Sequence, residues 1–538
     1  MLHAMQHNRL LICIVALSVV AGCGGSGGAG DATSILHRGL STEPESLDAH
    51  KTQSIQAAIV LRDLGEGLAA YTANGELTAG AAERWEVSDD GLQYTFHLRA
   101  NAKWSNGDEV TAEHFVFALR RLVSPDTAAF YAQFLGDVRY AKAIISGAKE
   151  AASLGVAALD ERTLLITLER PTPYLLNLLT HPATFPMHPG AIAEYGESFA
   201  RAGKLVTNGA YRLVEWIPGS VITLRRNEHY WNNAQTAIDE VQHHVLTQEM
   251  TELARYRAGE LHITSSVPPD SFAQVRTELG DQLRVFPSLG VYYYGYNLTK
   301  PPFRNNPELR QALSMAIDRE LLVEKITLRG ESPAYSWVPP GVHNYQPTVF
   351  SYAPLTQDER NNIARGLYQD AGYSEEHPLR VELRYNTSDT QQRIAVAIES
   401  MWRDVLGVKT TLINEEFQVL LANMRDREVT QVFRSSWLGD YDDAHTFLSI
   451  MQPENAANMP GYVSEEYDSL MERAAGQVDL DRRRLFLEEA ERVMLADHPV
   501  IPIYFYVNKH LVSPRVLGWG DNVLDYHYSH HLSLKAAE

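Results

Sequence analysis

The sequence predicts an α/β protein of two or three domains, and three observations carry that expectation. The chain has 538 residues, 45% of them hydrophobic, which is too many for one compact core. Its first half groups strands in hairpins beside helices. Its second half alternates strand, helix, strand, helix and strand, the order that builds right-handed crossovers and a largely parallel sheet.

The first residues stand apart from this body. After Arg9 the apolar run LLICIVALSVV is about a dozen residues long, too short to span a bilayer core of about 30 Å but suited to the h-region of an export signal. It ends in Ala21, Gly22 and Cys23. Of the two cysteines, Cys13 lies in the run that would be removed, so the exported protein would keep Cys23 alone and form no internal disulfide. VAGC, Val20 to Cys23, resembles a bacterial lipobox, in which the cysteine is lipidated and becomes the new N-terminus. GGSGGAG, Gly24 to Gly30, is a flexible coil by composition and would let a folded body stand off a membrane.

In the body, LQYTFHL (Leu92 to Leu98) alternates apolar and polar residues after the turn DDG and predicts a half-buried hairpin strand. A helix follows, which Thr111 can cap and whose Phe115, Ala118, Leu119 and Leu122 fall on one face. YRLVEW (Tyr211 to Trp216) and SVITLRR (Ser220 to Arg226), divided by Pro218-Gly219, predict a second hairpin. Beyond them RVELRY (Arg380 to Tyr385), a helix around Ile394 to Leu406, VKTTLI (Val408 to Ile413), a helix near Phe417 to Met424 and VTQVF (Val429 to Phe433) give the alternating pattern. Ligands of such sheets sit at the carboxyl ends of strands. RSSWLGDYDDAHTF, Arg434 to Phe447, follows the last strand and so lies where a site is expected, although a plain connecting loop occupies the same place.

Composition and motif chemistry narrow what that segment does. With 67 acidic against 47 basic residues the formal charge is −20, which repels phosphate backbones and argues against nucleic acid as a partner. Asp440, Asp442, Asp443 and His445 offer metal ligands, but their spacing matches neither a calcium loop nor a zinc motif. The C-terminal YHYSHHL, with His527, His530 and His531, reads as surface histidines near a chain end; a metal or haem carrier is the competing use. No nucleophile elbow, phosphate-binding glycine loop or H-E-x-x-H occurs, so nothing requires an enzyme, although sequence does not exclude catalytic carboxylates. A ligand clamp explains more of the residues together. Asp440 beside the Trp437 indole would hold an ammonium, and Arg434 offers a carboxylate the complementary fork. Peptides carry both groups.

From about Leu36 to the C-terminus the chain resembles the extracytoplasmic solute-binding proteins of family 5, the peptide, dipeptide and nickel group, and within it the oligopeptide-binding lipoproteins of ABC importers. The segments that carry the resemblance are TEPESLDAHK (Thr42 to Lys51), the stretch from Trp85 to Leu122, VTNGAYRLVEW with RRNEHYW, RYNTSD (Arg384 to Asp389), SWLGDYDDAHTFL and IPIYFYVN. The resemblance implies a periplasmic-binding-protein-like fold of class II with three domains. Domain I would comprise 31–64, 192–289 and 509–538, domain II the insertion 65–191, and domain III 290–508. A peptide would be enclosed between domains I and III with its backbone paired to the protein, a β-augmentation inside a closing cleft. It also implies a monomer without a cofactor that delivers oligopeptides to a permease in the inner membrane.

Several residues match family positions. Asp440 matches the aspartate that binds the peptide ammonium, within the pattern W-x-x-D-Y, which takes in Trp437 and Tyr441. Arg434 matches an arginine near the peptide carboxylate, and a second such arginine corresponds to Arg425 or Arg427. A cleft histidine of close relatives is replaced here by Gln391 or Gln392, and a tryptophan by Phe417. Tyr131, Tyr294 and Asn386 match cleft-lining positions, and Gln53 stands where close relatives have a glutamate. The family also includes binders of murein peptides, metal chelates and haem, which remain alternatives.

Overall fold

A computed structural model describes residues 33–535; the signal-like run, Cys23 and the glycine tether lie outside the described residues. Three sheets organise the chain from Ser34 onward, each beside its own group of buried apolar side chains. The first runs in the order Ile35–Leu40, Glu240–Val245, Val221–Arg226 and Tyr211–Ile217, with the first pair parallel and the others antiparallel. The hairpin expected around Pro218-Gly219 forms, and Gly219 takes the left-handed conformation, with φ of 69°, that its tight turn requires. Leu36, Val60, Tyr211, Ile222 and Val241 close this core, joined by Val512 and Leu532 from the far end of the chain.

The second sheet is antiparallel, Ala82–Val87, Gln93–Leu98, Thr163–Thr167 and Val156–Ala158. The helix Ala112–Val123 packs against it through Phe115, Leu119 and Leu122. Thr111 is its N-cap, as expected, but the partner is unusual: the Thr111 N–H donates to Nδ1 of His114 at 3.0 Å, so an imidazole does the work usually given to an acid.

The third sheet holds the site. Its order is Ser332–Pro333, Val500–Leu511, Leu283–Tyr296, Val432–Leu438, Arg380–Asn386 and Lys409–Glu415. The three strands read as an alternating unit do pair in parallel, through the helices Asp389–Leu406 and Phe417–Asp426. The sheet as a whole is mixed rather than largely parallel, because the remaining three pairings are antiparallel. The last strand also differs from its expected span. It runs from Val432 to Leu438, so Arg434 to Leu438 belong to the strand and not to the loop after it; Gly290–Tyr296 pairs with the whole length and holds it extended.

Two long strands, Leu283–Tyr296 and Val500–Leu511, form an antiparallel ribbon. At one end Leu511 and Leu283 pack with Val275 and Phe272; at the other, Val291 to Tyr296 and Val500 to Phe505 are buried in the core of the six-stranded sheet. The register breaks between Pro287 and Val291, midway between those cores.

Candidate functional site

Within the parallel unit the first strand in sequence, Arg380–Asn386, is the central one. The chain leaves it toward Lys409–Glu415 on one side and reappears as Val432–Leu438 on the other. A crevice opens beyond the carboxyl ends of strands at such a reversal. Arg380–Asn386 and Val432–Leu438 pair only at Leu383 with Val432 and Arg384 with Phe433, then part. Arg434 stands at the parting. Its Nη1 donates to Oδ1 of Asn386 at 3.2 Å, Nη2 reaches the Tyr506 hydroxyl at 3.5 Å, and the guanidinium lies over the Tyr292 ring, 4.8 Å from its centre. The Tyr292 hydroxyl donates to Oε1 of Gln391, in the first turn of the next helix. Arg434 thus forms one cluster with Asn386 and Gln391, more than forty positions earlier in the chain. Gln392 is exposed, so Gln391 is the glutamine that enters it.

Past the strand the three aspartates separate by role. Asp443 is clamped by Arg483, whose two Nη groups donate to its carboxylate at 2.7 and 2.9 Å. Asp442 accepts the His343 N–H at 2.9 Å, while its carbonyl accepts from Asn177 at 2.8 Å. The Tyr441 ring stacks on Tyr174 at 4.9 Å, and its hydroxyl meets Nδ1 of His445 at 2.8 Å. Asp440 alone keeps a carboxylate with no hydrogen-bond or ion-pair partner among the described residues; its own N–H is fixed on Thr446 at 3.2 Å. Asp440 is open to the mouth of the cavity, yet the surrounding walls remove enough water to raise its carboxyl above the ordinary aspartate value. Tyr131, Phe134, Tyr174, Leu178 and Asn455 share that cavity, as do Asp137 and Arg170, which pair with each other at 2.7 Å. Asp442, Asp443 and His445 are thus held by separate protein partners, and the metal-ligand spacing found among the described residues lies elsewhere.

The other expected residues divide. Tyr131 lines the Asp440 cavity, packs on His181 at 4.5 Å and donates its hydroxyl toward the carbonyl of Gln53 at 3.4 Å, so these two meet. Trp437 lies three positions from Arg434 on one strand, and alternation therefore turns the indole to the opposite face; it is half-buried against the core, with no partner for its N–H. Arginine and indole do not flank one ligand group from the same side. Tyr294 was expected to line the cleft but is fully buried in the sheet core, against the edge of Tyr292. Phe417 begins its helix and is 45% exposed. Of the two arginines, Arg427 caps that helix in the left-handed conformation and donates to the carbonyls of Met459 and Asn458, whereas Arg425 is exposed.

The expectation of surface histidines at the C-terminus is corrected. His527, His530 and His531 are half-buried, and burial lowers the pKa of each. They also do not converge: the group with metal-ligand spacing is His510, Asp525 and His527. Tyr292 and Tyr506, which frame Arg434, were not singled out from sequence. The period-two placement of Tyr292 and Tyr294, and of Tyr504 and Tyr506, was the available sign that each pair shares a sheet face.

A discontinuous first core, an inserted second one and a sheet-based third one, with a crevice at strand ends, define an extracellular solute-binding protein. The model of the bacterial extracellular solute-binding proteins, family 5 (middle), matches residues 76–458. The chain belongs to that family, whose members are binding proteins and not enzymes. It is 38% identical to the periplasmic oligopeptide-binding protein OppA of Escherichia coli over 92% of both chains. It is 36% identical to the probable deoxycholate-binding periplasmic protein YgiS of the same organism, again over 92% of both. Among solved structures, the unliganded open form of the periplasmic murein tripeptide-binding protein MppA superimposes with a TM-score of 0.87 at 35% identity, covering 93% of this chain and 97% of that one. A second structure of Escherichia coli MppA gives 0.75 at the same identity, covering 93% and 98%. Haemophilus influenzae OppA complexed with RPPGFSPFR gives 0.73 at 35% identity, covering 94% and 99%.

Proposed function

We propose that the protein captures oligopeptides in a cleft between two lobes and delivers them to an ABC permease in the inner membrane. The observation that carries this reading is Asp440: of three neighbouring aspartates it alone is left without a partner among the described residues, at the mouth of a partly desolvated cavity lined by Tyr131 and Tyr174. Such a carboxylate favours a ligand that brings its own cation, as the α-ammonium of a peptide does. Arg434, held among neutral oxygens and a tyrosine face, supplies the opposite charge. Between them the peptide backbone would add a strand, and water would fill side-chain pockets, so that affinity depends little on side-chain identity.

Replacing Asp440 by Asn keeps the shape and removes the charge. Loss of one partner from a desolvated pair costs about 3–5 kcal/mol, or roughly two to four decades of affinity. Calorimetry with di- to pentapeptides is expected to show that loss in Asp440→Asn, and N-acetylated peptides are expected to show it with wild type. The raised carboxyl pKa sets the sign of the pH effect: Asp440 takes up its proton at a higher pH than an ordinary aspartate at about 3.9, so affinity falls with falling pH from above that value. Equal binding of free and acetylated peptides by both proteins would refute the clamp. A murein peptide is the second reading, favoured by the fit to MppA. Deoxycholate, suggested by the YgiS relative, has no ammonium, and its binding would not depend on Asp440.

The same reading extends to architecture and location. On this reading the three cores would be domains I, II and III, and the relatives named as periplasmic support an extracytoplasmic location. None of the described helices is long and apolar enough to cross a membrane, so attachment would rest on lipidation of Cys23, with more than one acyl chain giving durable anchoring. Cell fractionation checks this: Cys23→Ala should bind peptide normally but leave the membrane fraction. Equal membrane association of both proteins would remove the anchor and the tether role of Gly24 to Gly30.

A further inference from the structure

Away from Asp440, at the end of the long strand Val500–Leu511, His510 meets the C-terminal turn that carries Asp525 and His527. Nε2 of His510 lies 2.8 Å from Oδ1 of Asp525, and Nε2 of His527 lies 2.9 Å from the same oxygen. One ligand atom from each residue falls within 4.8 Å of the other two. The orientation of His510 is fixed from behind, because its Nδ1 is 2.8 Å from the carbonyl of Thr264, which can only accept. Nδ1 therefore carries the hydrogen, and Nε2 of the neutral ring presents a lone pair to a carboxylate oxygen. Two such atoms do not rest 2.8 Å apart without a positive centre between them, either a second proton on His510 or a metal ion.

We propose that His510, Asp525 and His527 form a site for one divalent transition-metal ion of the zinc class. Two imidazole nitrogens and one carboxylate oxygen are a ligand set that zinc, nickel and copper accept and that magnesium and calcium do not prefer. Four-coordinate zinc bonds of about 2.0–2.2 Å place neighbouring ligand atoms about 3.3 Å apart, so the two nitrogen–oxygen pairs, now at 2.8 and 2.9 Å, need to open by about half an ångström. The rings are held for it. Trp519 stacks on His527 with centres 3.6 Å apart, Phe286 stacks on His510 at 6.0 Å, and the Thr264 carbonyl is the outer hydrogen bond that metal-bound imidazoles typically make. Asp525 occupies a positive-φ position, 58°, in a turn tied by the Asn522 side chain to both the N–H and the carbonyl of Tyr526. The fourth coordination position would face a cavity of about 230 Å³ lined also by Ser41, Gln56 and Arg62.

Two arginines bear on the affinity. Arg38 donates to the His527 carbonyl at 2.8 Å and to Ser529 at 2.9 Å, and Asp63, 3.9 Å away, balances its charge. Arg62 lies over the Tyr526 ring at 3.4 Å and opposes a second cation in the cavity, so the site binds more weakly than a four-residue structural zinc centre. The ion would fasten the crossing strand to the C-terminal turn, and peptide binding at Asp440 does not require it.

Titration of the full, chelator-treated protein with Zn²⁺, Co²⁺ and Mg²⁺ tests the site. The expected result is one equivalent of Zn²⁺ with a dissociation constant at or below about 100 µM, the visible absorption of four-coordinate Co²⁺, a raised melting temperature and no response to Mg²⁺. Asp525→Asn and His527→Gln should each weaken Zn²⁺ binding at least tenfold while still binding peptide, which shows that they fold. If either variant fails to fold, the Co²⁺ spectrum of the wild type decides. No Zn²⁺ uptake at 100 µM, uptake unchanged in folded variants, or a purely six-coordinate Co²⁺ spectrum would overturn the proposal and leave a proton as the centre that joins His510 to Asp525.

Discussion

Asp440, Asp442 and Asp443 are the same residue type within four positions, yet only one keeps a carboxylate without a hydrogen-bond partner among the described residues. The difference is made by Arg483 and His343, which are distant in the chain and claim the other two. The pattern W-x-x-D-Y singles out the same aspartate that the structure leaves unpartnered among the described residues, but it does not say why its neighbours are excluded. The arginines pose the same problem with a testable answer. Arg427 has its guanidinium on two backbone carbonyls and its backbone in a left-handed cap. Arg427→Ala would leave the Met459 carbonyl without a donor and the Asn458 carbonyl with the Gly461 N–H alone, and should destabilise the fold by about 1–3 kcal/mol, with peptide affinity per folded molecule unchanged. Arg425 is exposed and committed to nothing among the described residues, so Arg425→Ala should leave the urea midpoint alone and lower peptide affinity severalfold, the scale of an exposed ion pair at about 1 kcal/mol or less. If calorimetry and urea unfolding give the reverse pattern, Arg427 is the ligand-facing residue.

Elements were legible in proportion to how local their cause is. Hairpins divided by DDG or Pro-Gly, and the helix after Thr111, are set by turn residues and by a face of Phe115, Leu119 and Leu122, all within a few positions. The alternating strands and helices from Arg380 likewise follow from periodicity. Sequence alone displaces the strand Val432–Leu438, because nothing local extends it: Arg-Ser-Ser interrupts the apolar run, and Gly290–Tyr296, about 140 residues earlier by register, supplies the hydrogen bonds that keep it extended. That displacement had a chemical consequence. Treated as a loop, Arg434 to Asp440 could aim Arg434 and Trp437 at one ligand; as a strand, it turns them to opposite faces and brings Arg434 over Tyr292 instead. The mixed character of the sheet was missed for the same reason, since the antiparallel ribbon joins segments more than 200 residues apart.

At the scale of the whole molecule the conformation itself is informative. The ribbon of Leu283–Tyr296 and Val500–Leu511 runs from one core to another, and its pairing breaks between Pro287 and Val291. Backbone hydrogen bonds resist bending along a regular ribbon, so a break between two rigid cores is where the least contact is lost when they move. Gly290 lies within the break, where a β-carbon would come 2.7 Å from the Leu438 side chain and 2.9 Å from Tyr506, so strand, ribbon and Arg434 cluster meet closely there. Asp440 faces a cavity shared with residues of the second core. A peptide that engages Asp440 and Arg434 together with the opposite lobe binds the closed arrangement better than the open one, and this difference in affinity is what shifts the population. Small-angle X-ray scattering should therefore record a smaller radius of gyration when a saturating tri- or tetrapeptide is added to wild type. Asp440→Asn, at a peptide concentration that saturates only wild type, should keep the open value, and should reach the closed one if enough peptide is supplied to occupy it. A wild-type protein that binds peptide by calorimetry with no change in scattering would mean that the break between Pro287 and Val291 does not serve as a hinge and that the ligand is held by one lobe alone.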